Sequence, residues 1–127
     1  MKYYYKKEVM LSFVDAVLRT KEELAKEGFG ILTEIDVKTT LKKKLDIDYD
    51  NYIILGACNP PLAHQALLSE KDIGLLLPCN LLVYEDGSNV YVSAIVPSVA
   101  MGMVENLDLA EIAKEVDEKL RRVVDAI

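Results

Sequence analysis

The sequence predicts an α+β fold: a single compact domain with a mixed β-sheet packed with helices. Three observations predict it. Stretches of period two alternate with stretches of helical period, in the order β-α-β-α-β-α-β-β-α. The 127 residues suit one domain and not two, so residues 1–127 are read as one unit. Hydrophobic residues make up 51% of the chain, enough to fill a core.

Each element has a local reason. Tyr3, Tyr4 and Tyr5 suit a first strand over 2–7, because aromatic side chains fit a pleated surface. Val9, Met10, Phe13, Val14, Val17, Leu18 and Leu24 recur at helical spacing and predict one apolar stripe. Gly28 stops that helix. Gly30 to Asp36 alternates, with Ile31, Thr33 and Ile35 on one side and Leu32 and Glu34 on the other. Asp36 then caps a short helix through Leu45. Tyr52 to Cys58 is an internal strand. Asn59 follows as N-cap and Pro60 as first helical residue, where a missing N–H costs nothing. That helix runs to about Ser69.

A strand is expected from Leu75 to Glu85, entered through Pro78. The turn D-G-S-N at 86–89 makes a hairpin with Val90 to Val96, and Gly87 supplies a positive φ. Pro97 ends that strand. Met101-Gly102-Met103 is a loop or a short helix. The last helix is expected from about Asp108 to Ile127. Asp108 and Glu111 stand at capping-box spacing, and Leu109, Ile112, Val116, Leu120, Val123 and Ile127 form its stripe.

Charge and cysteine usage exclude several function classes. The net charge of −6 disfavours binding along a phosphate backbone, and Lys42-Lys43-Lys44 reads as a solvated helix face. No nucleic-acid partner is expected. No apolar run reaches the roughly 20 residues of a membrane span. The start M-K-Y-Y-Y-K-K-E lacks a signal-peptide core. A cytoplasmic location and no membrane partner are the expectations. Two cysteines and one histidine fall short of a structural zinc set, so no metal site is expected, and no residue pattern names a cofactor.

Residues 52–57 and 75–83 are apolar at both alternate sets of positions. Such strands have both sheet faces covered, by helices or by another protein. A homodimer with two-fold symmetry is therefore expected.

The ordered set G-F-G-I-L-T-E-I-D, G-A-C-N-P-P, L-L-P-C-N-L-L-V-Y-E-D-G, V-Y-V-S and Pro97 resembles the domain of unknown function 302 family over about residues 2 to 127. The family pattern falls on Gly56, Asn59, Pro60, Leu77, Pro78, Val83 to Asp86 and Pro97. The resemblance implies a small α+β domain, often dimeric, with no established enzyme activity. In that pattern an acidic or amide residue often precedes the last proline. Val96 stands there in this chain.

The candidate site is the stretch G-A-C-N-P-P-L-A-H, residues 56 to 64. Cys58 ends a strand just before a helix N-terminus, where a thiolate is stabilised. His64 lies about one turn into that helix and is the candidate base for a Cys58 nucleophile or redox thiol. Asn59 and Pro60 frame backbone amides that suit an anion. Cys79 and Asn80 repeat the C-N pair and join this cleft if the sheet order allows. Glu34, on one strand face with Asp36, is the remaining candidate ligand-binding carboxylate. The leading expectation is a dimeric domain binding a small ligand or anion at Cys58, Asn59, Pro60, His64, Cys79, Asn80 and Glu34. The alternatives are a thiol-dependent or redox enzyme using Cys58 and His64, and a non-catalytic structural or interaction dimer.

Overall fold

The computed structural model describes residues 2–127. The strands are β1 (Tyr4–Val9), β2 (Gly30–Asp36), β3 (Tyr52–Cys58), β4 (Cys79–Asp86) and β5 (Asn89–Ile95). The helices are α1 (Phe13–Lys26), α2 (Val37–Leu45), α3 (Pro60–Ser69), the one-turn α4 (Pro97–Ala100) and α5 (Leu107–Asp125). A 3-10 helix, Lys71–Leu76, follows α3.

The five strands form one sheet in the order β1-β5-β4-β3-β2. Every neighbouring pair is antiparallel, where a mixed sheet was expected. The reason lies in the connection through α1. It carries the chain from one sheet edge to the other, so β1 and β2 run the same way but never pair. The remaining strands follow as antiparallel neighbours.

Helices α1 and α5 pack on one face of this sheet, and α3 packs beside α5. The core forms there. Leu55, Ala57, Leu81, Val83, Val90, Val92 and Ala94 alternate along β3, β4 and β5 and are buried against Ala16, Leu24, Val116, Leu120, Val123 and Val124. The opposite set on the same strands is less covered. Tyr52, Ile54, Leu82, Tyr84 and Tyr91 are half-buried. Helices α1 and α5 therefore cover only one face of these two-sided apolar strands.

Several element boundaries differ from the sequence expectation. The first strand starts two residues later, and Ser12 caps α1 through the Asp15 amide at 3.1 Å. That start turns the helix. Met10, Val14 and Leu18 lie on the surface, while Ala16, Thr20, Glu23 and Leu24 are buried. The small Ala16 and Thr20 let α1 approach the sheet, and the Thr20 hydroxyl donates to the Ala16 carbonyl at 2.7 Å. In β2 the register shifts between Ile31 and Thr33. Ile31 pairs with Ala57 and faces the core, while Thr33 and Ile35 pair with Gly56 and Ile54 and face the other way. An extra residue in one strand has this effect. Leu75 to Leu77 do not belong to β4, because the 3-10 helix takes the chain to Leu76. The N-cap of α5 is Asn106 rather than Asp108; its Oδ1 accepts from the Leu109 amide at 3.2 Å.

Helix α2 stands apart. Its main contacts are with β2 and β3, and none of its nine residues is buried. Leu45, Ile47 and Tyr49, at its end and in the loop beyond, are about half exposed or more.

Candidate functional site

The strand-to-helix turn forms as its sequence dictates. Asn59 adopts an extended backbone and its Oδ1 accepts from the Leu62 amide at 3.4 Å, a long capping bond. Its Nδ2 donates to the carbonyl of Glu27 at 3.2 Å. Both ends of the amide are thus in use, one capping α3 and the other tying it to the end of α1. Gly28, with φ +84°, allows this approach, since a Cβ there would lie 3.1 Å from Asn59 Nδ2. Arg122 of α5 joins the same knot through Glu27 at 3.0 Å and holds its carboxyl below the ordinary carboxylate range.

The register places the two cysteines together. Ala57 pairs with Cys79, so Cys58 is one residue beyond it. Both thiols line one small cavity beneath the start of α3, with Phe29, Leu62, Met101 and Val116 among its walls. Its volume is about 30 Å³ and its surface is almost wholly apolar. That is room for one or two molecules of water size. Cys79 is buried, and this burial pushes its thiol up to about 11, away from a thiolate at neutral pH. Cys58 is half-buried. Pro78 crosses close over β3: a Cβ on Gly56 would come within 2.8 Å of Pro78 Cγ and would also strike Thr33 Oγ1.

The other candidates are dispersed. His64 is exposed on α3 and is not part of the cavity wall, and Pro60 is exposed as well. Asn80 is exposed on β4 opposite Gly56 and borders a separate hollow with Cys79 and Pro78. Glu34 pairs with Leu55, three residues before Cys58 and roughly 10 Å along the strand. It makes a 2.6 Å ion pair with Lys21 of α1. Asp36 caps α2 through the Thr39 amide at 3.0 Å. Only Cys58, Asn59 and Cys79 share the cavity. Among the described residues, no group of three His, Cys, Asp or Glu side chains is placed to hold a metal ion.

The open sheet face holds residues that the sequence reading passed over. Tyr52, Tyr84 and Tyr91 lie side by side across β3, β4 and β5, with ring centroids 5.3 and 5.4 Å apart. Lys6 lies over Tyr4, Tyr84 and Tyr91, 5.1 Å from the Tyr91 centroid, and donates to the Tyr84 hydroxyl at 3.2 Å. Tyr3, Tyr4, Tyr52, Tyr84 and Leu82 border a shallow basin of about 360 Å³. The alternation of Tyr84 with Val83 was visible in the sequence. The strand order that lines the tyrosines up was not.

The family model described as "Domain of unknown function DUF302" matches residues 5–127. The crystal structure of the uncharacterized conserved protein DUF302 from Bacillus stearothermophilus is similar at a TM-score of 0.93 and 29% sequence identity, covering 98% of each chain. No curated protein matches the chain. Among the described residues, no helix is long and apolar enough to cross a membrane.

Proposed function

This chain belongs to the DUF302 family, and on that footing we propose that it is a non-catalytic self-associating domain whose open sheet face joins two copies. The observation that carries this reading is α2. A nine-residue helix is marginal alone in water and gains its stability from packing. Here none of its residues is buried. Beside it lies a sheet face of tyrosine, leucine and isoleucine, opposite the face that α1 and α5 cover. Five strands of about seven residues span roughly 24 Å by 23 Å. With α2 added, this approaches the roughly 800 Å² per partner of a stable interface. Two such faces stack as a two-fold, helix–sheet–sheet–helix sandwich with the tyrosines between.

Sedimentation equilibrium tests this. Wild type sediments as a dimer at micromolar concentration. Leu82→Glu, a charge in the middle of the face, gives a folded monomer. Leu75→Glu, on the exposed 3-10 helix, leaves the dimer intact. A monomeric wild type, or a dimer broken by Leu75→Glu and not by Leu82→Glu, overturns the reading.

The cavity supports a second reading, a binding site for a very small ligand. Its apolar wall and Cys79 thiol favour a neutral apolar molecule over an anion. The Cys–His enzyme reading has less support, because His64 is exposed on α3 and does not line the cavity that Cys58 lines. Alkylation distinguishes these. The binding reading expects Cys58 to react slowly, and more slowly still under pressurised xenon, a small apolar probe. Fast alkylation of Cys58 that His64→Ala slows supports the enzyme instead.

A further inference from the structure

We propose that a groove at the end of the sheet, where β1 begins and α4 follows β5, binds a small organic oxyanion through Arg121. The groove has a volume of about 780 Å³, within the range of small-molecule sites. Its walls carry three cations, Lys2, Lys6 and Arg121, and no carboxylate. In a chain with 21 acidic and 15 basic residues, such a lining is opposite to the overall balance.

Arg121 is the centre of this argument. It lies on α5 one turn after Asp117 and one turn before Asp125, the spacing at which helix ion pairs form. It pairs with neither. Asp117 instead accepts from the backbone amide of Ser98 at 3.0 Å and from the Ser98 hydroxyl. Asp125 accepts from the Tyr5 hydroxyl at 2.6 Å. The Arg121 guanidinium rests over the Tyr5 ring, 4.6 Å from its centroid. Among the described residues it donates no hydrogen bond to protein. Two neighbouring carboxylates are therefore held by neutral donors, while a stacked guanidinium keeps its planar fork of N–H groups free. That fork matches a carboxylate or phosphate in two parallel hydrogen bonds.

The other cations reinforce it. Lys2 and Lys6 each lie 5.6 Å from the Tyr4 ring centroid and have no carboxylate partner among the described residues. They add positive potential at the mouth of the groove, and Tyr4 and Val99 offer apolar contact to the body of the ligand. Tyr5 pairs with Ala94 and faces the helices. The Arg121 end therefore stays reachable when the open sheet face is covered by a second copy.

Calorimetric titration of the full chain with phenyl phosphate and with benzoate, at low ionic strength, tests the proposal. At least one binds, Arg121→Ala weakens it at least about tenfold, and Arg121→Lys weakens it less, because charge is kept and the fork is lost. Lys114→Ala, exposed on α5 outside the groove, leaves affinity unchanged. Binding of phenyl phosphate and not benzoate assigns a phosphate ligand; the reverse assigns a carboxylate. Absence of binding by both, or an Arg121→Ala variant within twofold of wild type, overturns the proposal.

Discussion

Cys79 shows what a single residue contributes here. The sequence offered it as a partner for Cys58, and the register does bring both thiols to one cavity. Its surroundings decide its chemistry. Burial raises the thiol from 9.0 to about 11, with the nearby Cys58 and Asp117 adding to the effect. The unfolded thiol ionises near its ordinary value, so between pH 9 and 11 the unfolded state has lost a proton that the fold still holds. Stability must fall with rising pH across this window. Thermal unfolding of wild type against Cys79→Ala checks it: the wild type loses more stability from pH 9 to 11 than the variant does. Equal losses would mean the thiol is not held protonated by the fold.

At the scale of elements, the turn from β3 to α3 depends on a side chain that does two jobs. Asn59 caps α3 and holds the Glu27 carbonyl. Removing a cap costs about 1 kcal/mol, and a lost bond to a neighbouring element adds about 1 kcal/mol more. Asn59→Ala should therefore cost about 2 kcal/mol in urea unfolding. Asn59→Asp should cost less, since the carboxylate still caps but cannot donate to Glu27. The cap itself was legible from N-P-P, as were Asp36 before α2 and Gly87 in the hairpin. These are contacts within a few residues. The tie to Glu27 joins residues 32 apart and has no local signature. The bulge in β2 and the 3-10 helix over Leu75 to Leu76 were hidden for a related reason. Alternation and apolar content do not reveal an extra residue in one strand, and an apolar run before Pro78 reads equally well as strand or tight helix.

For the whole molecule, element order and the presence of apolar residues on both sides of the inner strands were readable. Sheet order was not, because it depends on where α1 crosses. That crossing sends β1 and β2 to opposite edges and leaves one face of the sheet without α1, α3 or α5. The candidate site divides for the same reason. Cys58, Asn59 and Cys79 meet because β3 and β4 pair, while Glu34 stays with Lys21 and His64 stays on the outside of α3. The open tyrosine face and the unburied α2 emerge only from the assembled sheet, and they carry the central claim that two copies join there.

Amide hydrogen exchange of α2, residues 37–45, compared between wild type and Leu82→Glu, tests that claim most directly. If a second copy packs on this side of the sheet, α2 is protected in the wild type, loses protection on dilution, and exchanges quickly in the variant, while α5 stays protected in both. Protection of α2 that is independent of concentration and unchanged by Leu82→Glu would contradict the account.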